Sequence, residues 1–360
     1  MLDPRVLHVR STLGMYGAEK VLLNLSHVND VIDYSFYLIE GKSKQSSTLR
    51  EKLDPLNVTS IQSNKKFDMD IVKGITKSCR NNNISVIHTH DYKSLIHGMI
   101  ATLFTNVSLV HHIHGVLGNT KSEKFYAMVE KVFMLFADRI VTVSQIQKID
   151  IRKNLLLRSK VCHVSNGTLV ASTDKEKVYH NNKFNLLMVA RFTPEKNHYL
   201  AMDIVKELLN KGMDIELNLL GDGECMQDVL AYASSLKISG SVNFIGYKDN
   251  VNDYIRDSDA LLITSKTEGL PMSMLEAMAL GVPIISTPVG EIPYIIEESN
   301  GGFIANNTSE FTSIIERLYK DLELTKSMGK KARAYLEQNL SVTAQSQALG
   351  QLYSGLVNAP

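Results

Sequence analysis

Short runs of β-branched and aliphatic residues alternate with longer stretches of helical periodicity along the whole 360-residue chain. Continuous apolar runs mark strands buried on both faces, and their alternation with helices is the sequence form of βαβ units and parallel sheets. In the first half the pattern predicts strands at 6–10, 35–39, 58–61, 86–89, 109–113, 140–143 and 161–164; in the second, at 185–190, 216–220, 242–245, 260–264, 283–286 and 302–305. Between the two sets, residues 172–183 are polar and aperiodic, which reads as a linker. Residues 342–357 return to helical spacing, with Ala348, Leu352 and Leu356 in register, and are expected to pack back on the first domain. The expected class is α/β, with two Rossmann-like parallel-sheet domains and an interdomain cleft. Residues 1–173, with a C-terminal helix at about 342–360, would form the first domain and 174–341 the second.

Composition narrows the setting. A chain of this length exceeds what one core usually supports. Its 44% hydrophobic and 21% charged residues are those of a soluble globular protein, and no apolar run approaches the length of a bilayer span. The opening residues read as a buried strand and not as a signal peptide. Cys79, Cys162 and Cys225 stand singly, without CxxC spacing, so a reducing, cytoplasmic location is expected. The net charge of +1 conceals an asymmetry: residues 1–175 hold 23 Lys and Arg against 15 Asp and Glu, and the remainder holds 16 against 23. Either these are scattered solvated lysines, or the first half meets an anionic acceptor or the inner face of the plasma membrane as a peripheral protein. Nucleic acid is disfavoured, because the basic residues are dispersed and not interleaved with aromatics.

Ligands in doubly wound sheets bind at the carboxyl ends of strands, and the chemically distinctive residues fall there. Glu268 and Glu276 lie either side of a helix start at Gly269-Leu270-Pro271, and Gly281 with Pro283 closes that helix. Free N–H groups around Leu270 to Ser273 can face an anion with the helix dipole behind them, while the two carboxylates accept hydrogen bonds from hydroxyls on either side. Arg191 and Lys196, on the loop leaving the first strand of the second domain, can supply a bidentate fork and a point charge to phosphate. His88, His90, His97, His111, His112 and His114 crowd the first half. No acidic or cysteine ligand accompanies them at zinc spacing, so they read as buried histidines or strand-end site residues and no metal is expected. Asp68 and Asp70 precede an amphipathic pattern and read as a helix cap, not a metal–diphosphate motif. The apolar stretch 125–136, flanked by Lys121, Lys124, Lys131 and Arg139, reads first as core and second as a membrane-docking surface.

Together these residues resemble a known family. The run Val189-Ala190-Arg191-Phe192-Thr193-Pro194-Glu195-Lys196-Asn197, then Leu220-Gly221-Asp222-Gly223, Phe244-Ile245-Gly246-Tyr247, Glu268 to Gly281, Pro283 and Val289-Gly290 is similar in order and spacing to retaining glycosyltransferases of family 4 (glycosyl transferases group 1), whose fold is GT-B. The resemblance implies a hexosyl- or N-acetylhexosaminyltransferase. It would move sugar from a nucleotide-sugar donor, UDP favoured, to a glycan or lipid-linked glycan in bacterial surface polysaccharide synthesis, with no cofactor and no metal. It implies that Arg191 and Lys196 meet the diphosphate, that Glu276 holds the ribose, and that Glu268 orients the sugar with the backbone of Gly269, Leu270, Pro271 and Leu275 nearby. Gly246 and Tyr247 would lie by the base, and His114 by the reacting bond. Gly14 and Gly17, in Gly14-Met15-Tyr16-Gly17-Ala18-Glu19, stand where the family has a Gly-Gly-Ala-Glu turn, of which the first glycine is missing here. His90 and Tyr16 are the weaker candidates for acceptor binding. A sugar-nucleotide epimerase and a catalytically silent sugar-nucleotide-binding subunit are the alternatives. A nicotinamide dehydrogenase is disfavoured, since neither half shows GxGxxG after its first strand.

Overall fold

The computed structural model describes residues 4–28, 32–43, 45–55, 57–114, 121–170 and 183–357. The polar linker at 172–182 and Gly115 lie outside the described residues, as do the side chains of Lys121 and Lys124. The chain forms two compact units, Met1–Gly167 with Val342–Pro360, and Thr168–Ser341.

In the first unit the strands are β1 (Arg5–Thr12), β2 (Asp33–Glu40), β3 (Val58–Gln62), β4 (Val86–Thr89), β5 (Ser108–Ile113), β6 (Arg139–Thr142) and β7 (Val161–His163). They form one parallel sheet in the order β3-β2-β1-β4-β5-β6-β7. The helices are α1 (Gly17–Ser26), α2 (Thr48–Lys52), α3 (Met69–Asn81), α4 (Tyr92–Thr102), α5 (Lys121–Phe133) and α6 (Gln145–Arg152). The second unit carries β8 (Phe184–Val189), β9 (Ile215–Leu220), β10 (Val242–Gly246), β11 (Ala260–Ile263), β12 (Ile284–Ser286) and β13 (Gly302–Ile304), parallel in the order β10-β9-β8-β11-β12-β13. Its helices are α7 (His198–Asn210), α8 (Met226–Ser235), α9 (Val251–Arg256), α10 (Met272–Ala279), α11 (Ile292–Ser299), α12 (Thr308–Lys320) and α13 (Leu322–Asn339); α14 (Val342–Val357) belongs to the first unit. All thirteen predicted strands are present, each within two residues at either end. Burial on both faces writes most of them as largely apolar runs, while the edge strand β3 is mostly exposed, and each unit has its own apolar core of strand and helix residues.

Helix starts follow local chemistry. Asp68, Asp91, Ser144, Asn307 and Asp321 precede α3, α4, α6, α12 and α13, and each side chain accepts a backbone N–H two or three residues on. Asp68 and Asp70 thus serve a helix start, Asp70 also pairing with Lys73 at 3.1 Å.

Two helical faces differ from expectation. On α5 and the single turn after it the reading of 125–136 as core holds only in part: Phe125, Met128, Val132 and Phe136 are exposed, while Met134 is buried in the first unit's core and Phe133 and Leu135 pack against it. Polar and aromatic contacts hold the inner side of α5 as well: Tyr126 stacks on Tyr92 of α4 at 4.6 Å, and Glu130 reaches His111 at 3.2 Å. On α14 the buried face is Val342, Gln345, Ser346, Leu349, Gly350 and Tyr353, and Ala348, Leu352 and Leu356 lie half-buried beside it. Hydrogen bonds set this rotation, since Ser346 and Tyr353 meet the hydroxyl of Tyr34 and the Nδ1 of His88 under the sheet.

Gly281 (φ +67°) ends α10 in the left-handed conformation, and a Cβ on Gly329 of α13 would overlap its carbonyl. Gly329→Ala must push α13 off α10, and a loss of about 1–3 kcal/mol is expected for such overpacking. It should appear in urea unfolding as a lower midpoint with an unchanged slope.

Candidate active site

In a doubly wound sheet the loops part at the carboxyl ends of the two strands where the strand order reverses. In the second unit these strands are β8 and β11. Ala190 to Asn197 leaves β8, and Thr264 to Pro271 leaves β11. Asn197 takes a left-handed turn (φ +51°), and Thr264 Oγ1 donates toward the carbonyls of Lys196 and Asn197 at 3.1 Å each, while the Lys266 N–H donates to the Glu195 carbonyl at 2.7 Å. These bonds stitch the two loops together and bring Lys196 Nζ to 2.6 Å from Glu268 Oε1. Ser265 Oγ donates to the same oxygen at 2.7 Å. Both of these contacts fall on Oε1.

Glycines allow the neighbouring backbones to close on this pair. Gly221 (φ +139°) and Gly223 (φ +152°) press on the carbonyls of Ala190 and Phe192, and Gly290 (φ +58°) presses on those of Glu268 and Gly269; a side chain at any of the three would overlap backbone. The Phe192 N–H donates to Asp222, and the Glu291 N–H donates to Gly269. His198, behind Lys196, stacks on Phe192 at 4.1 Å; burial, with the Lys196 charge, lowers its pKa to about 4.

Pro271 stands at the N-cap of α10 and offers no side-chain acceptor, so the first turn has no side-chain cap, though the Met274 N–H bonds the Pro271 carbonyl at 3.1 Å. Glu276 is half-buried on the second turn of that helix. Leu270 and Leu275 are buried, and the Leu275 N–H already bonds the Pro271 carbonyl at 3.4 Å, so their side chains pack the core under the loop. Arg191 lies 3.6 Å from Glu195 with half its side chain exposed. Gly246 (φ +77°) ends β10 and accepts the Gly221 N–H at 3.0 Å; Tyr247 beside it is exposed, its hydroxyl donating to Asp249 at 3.3 Å.

In the first unit the order reverses between β1 and β4. Here the centre is Arg10, which the sequence reading did not single out; its signal is a charge closing the apolar run of β1. Arg10 Nε donates to Glu19 Oε1 at 2.9 Å and Nη1 donates to the His90 carbonyl at 2.8 Å, with Asp91 at 3.8 Å. Burial opposes the cation, but Glu19 and Asp91 outweigh it and the Arg10 pKa is raised. Glu19 also accepts the Tyr16 N–H at 3.3 Å, which fixes the turn Gly14 to Gly17 at the head of α1. A Cβ on Gly14 would touch the Tyr16 ring, and Gly17 is the first residue of α1.

His90 follows β4 directly and meets His114, at the end of β5, with Nδ1 and Nε2 2.7 Å apart. His88 and His112 are fully buried beside them, and His97 accepts the Asp68 N–H at Nε2 and donates from Nδ1 to the Lys93 carbonyl, tying α3 to α4. Burial, then neighbouring histidines, lowers the pKa of His112 to about 3 and those of His88, His90 and His114 well below the usual value. A polar hollow lined by Lys42, Ser43, Ser46, Ser47, Arg50 and Gln62 opens beside the ends of β2 and β3; it too escaped the sequence reading, its residues falling in a short segment without periodicity.

Comparison with known proteins gives these sites a family. The model "Glycosyltransferase Family 4" matches residues 43–169, and the model "Glycosyl transferases group 1" matches residues 170–335. The Escherichia coli UDP-Gal:alpha-D-GlcNAc-diphosphoundecaprenol alpha-1,3-galactosyltransferase is 24% identical over 311 residues, 81% of this chain and 80% of its own. The N-acetyl-alpha-D-glucosaminyl L-malate synthase of Bacillus anthracis is 37% identical over 123 residues, about a third of each chain. Among solved structures, HepE of Anabaena in complex with UDP superposes with a TM-score of 0.81 at 18% identity, covering 98% of this chain and 100% of that one. A glycosyltransferase of Rickettsia africae gives 0.81 at 19% identity over the full length of both. With the fold that of the GT-B enzymes and the two family models matching consecutive halves in order, the chain belongs to the family 4, group 1 glycosyltransferases.

Proposed function

We propose that this glycosyltransferase takes its sugar from a nucleotide-sugar donor, a UDP-hexose or UDP-N-acetylhexosamine, and passes it with retention of configuration to a glycan or lipid-linked glycan of a bacterial surface polysaccharide. The observation that carries the reading is the Lys196–Glu268 pair beside the uncapped start of α10. Cleavage of a sugar–diphosphate bond leaves charge on the departing phosphate, and preorganised donors aimed at that charge lower the barrier most. The first-turn N–H groups of α10, Lys196 Nζ and the Arg191 guanidinium are such donors. Lys196 also fixes Glu268, whose Oε2 accepts from hydroxyls of the sugar, while Glu276 accepts from the ribose diol. Gly246 and Tyr247 lie by the base, and the turn from Gly14 to Gly17 approaches the donor with its backbone. The galactosyltransferase and HepE support UDP by the donor and ligand they carry in their names. These positive groups take the place that a divalent cation has in other glycosyltransferases, so the reading is metal-independent.

The first unit receives the acceptor, with His114 at the reacting bond and His90 and Tyr16 behind it. Its exposed apolar residues favour a lipid-linked acceptor and peripheral attachment at an anionic membrane, on its cytoplasmic side. Phe125, Met128, Val132 and Phe136 on α5 and the following turn are joined by Ile146 and Ile149 on α6, with Lys131, Lys148, Arg152 and Lys153 in the same segments.

Three outcomes are expected. UDP raises the melting temperature of the purified protein and GDP does not, since a ligand of the native state stabilises in proportion to affinity and concentration; a GDP response alone overturns the choice of base. Glu276→Ala raises the KM for the donor at least about tenfold, the loss of roughly one charge-assisted hydrogen bond, with EDTA leaving the wild-type rate unchanged. Phe125→Ser with Met128→Ser abolishes flotation with anionic liposomes and leaves transfer to a water-soluble acceptor intact; flotation independent of anionic lipid counts against the membrane reading.

A further inference from the structure

Three neighbouring strands send their loops to the Glu268 carboxylate. Lys196 arrives on the loop after β8, Ser265 and Glu268 itself on the loop after β11, and Thr287 directly after β12. Among the described residues two side chains reach the carboxylate, Lys196 Nζ at 2.6 Å and Ser265 Oγ at 2.7 Å, both on Oε1. Ser265 is buried, and Glu268 is the one acceptor its hydroxyl meets among the described residues. Its backbone is seated in turn by β12: Thr287 Oγ1 donates to the Ser265 carbonyl at 2.6 Å, and the Thr287 N–H donates to the Ile263 carbonyl at 3.0 Å.

The two grips on Oε1 differ in kind. Lys196 holds it with a charge at the end of a flexible four-carbon stem, and a diphosphate arriving beside that charge competes for it. Each turn of the ammonium toward phosphate loosens its hold on the carboxylate. Ser265 has no charge for a phosphate to draw on, a single side-chain torsion to its hydroxyl oxygen, and a backbone already fixed by Thr287. A hydroxyl donating to a carboxylate makes one of the stronger hydrogen bonds, and a side chain is held in a productive direction by just such support from behind.

We propose that Ser265 is the positioning residue that keeps Glu268 aimed at the donor sugar while the diphosphate draws on Lys196. Labour is then divided between the two grips: Lys196 governs affinity for the nucleotide, and Ser265 governs recognition of the sugar. This rests on the reading of Glu268 as the contact to the sugar hydroxyls. A hydroxyl that served only to brace its own loop would matter equally to nucleotide and sugar. The bonds that stitch this loop to its neighbours do not use the Ser265 hydroxyl, however. Thr264 Oγ1 reaches the carbonyls of Lys196 and Asn197, the Lys266 N–H reaches the Glu195 carbonyl, and Thr287 reaches the Ser265 carbonyl. All of them survive in Ser265→Ala, which removes one contact and leaves the loop in place.

Calorimetric titrations of the full chain with UDP, UDP-glucose, UDP-galactose and UDP-N-acetylglucosamine test it. Ser265→Ala should bind UDP within about twofold of the wild type and bind the conjugate that the wild type prefers about tenfold less tightly, on the scale of one hydrogen bond to a charged group. It should also discriminate less between UDP-glucose and UDP-galactose, which differ in the direction of one hydroxyl. Lys196→Gln should weaken UDP itself. An equal loss for UDP and its conjugates in Ser265→Ala marks a loosened loop and overturns the proposal, and so does unchanged binding of the preferred conjugate. UDP affinity unmoved by Lys196→Gln removes the competition on which the proposal depends, and overturns it too. Glu268→Gln separates the proposal from the reading beneath it. If that variant binds the conjugates as the wild type does, Glu268 is not the sugar contact and both fall; if it loses them selectively and Ser265→Ala does not, the role of Ser265 alone falls.

Discussion

The contact between Lys196 and Glu268 joins the two loops that part at the switch point of the second sheet, and the surrounding backbone is arranged to hold it. Both side chains are mostly withdrawn from water, at 19% and 12% exposure, so losing one partner strands the other charge where solvation is poor. Around the pair, Gly221, Gly223 and Gly290 each occupy positive φ because backbone passes where a Cβ would stand. Thr264 and Lys266 bond across the gap, and the pair is presented beside an uncapped helix start. A site assembled this way needs little reorganisation when charge appears in it, which is the condition for electrostatic stabilisation of a transition state.

The first unit meets the same constraint with different chemistry. Its switch point is closed by Arg10, which holds the Glu19 carboxylate, the His90 carbonyl and, farther off, Asp91. Asp91 in turn accepts from Ser11 and Ser94, so one network sets the end of β1, the start of α4 and the turn before α1. The second unit gathers positive charge and N–H groups; the first gathers neutral imidazoles.

The strands were legible in the sequence because β-branched and aliphatic residues dominate each run, with polar residues such as His8, His88 and Asn218 too few to break the pattern. The second-unit residues were legible because glycine, proline, arginine and glutamate recur there at fixed spacing. What escaped was whatever depends on strand order and helix rotation. His8 lies opposite His88, and a pairing between the first and fourth strands cannot be read from a linear pattern. Arg10 is ordinary until Glu19 and the His90 carbonyl surround it. On α5 an apolar stretch suggested core, and only its end, at Phe133, Met134 and Leu135, enters it, while Tyr126 and Glu130 make the inward contacts before that. On α14 the apolar spacing marked a face one residue away from the buried one, because Ser346 and Tyr353 hydrogen-bond inward and carry the helix with them.

The chain enters the second unit at Thr168 and leaves it at Ser341, and these two residues form a parallel bridge, reinforced by the Thr168 N–H on the Leu340 carbonyl at 3.1 Å. The second unit is therefore an insertion with its two ends side by side, set into a first unit that resumes at Val342. Neighbouring ends are what make a segment separable by cutting and rejoining. Residues 168–341 are continuous in sequence and suited to expression as one piece. The first unit becomes a single chain only when Gly167, whose N–H donates to Gln345 of α14 at 2.9 Å, is joined to Val342 by a short bridge. The second unit is thus a cassette by topology, exchangeable between relatives without redrawing the first.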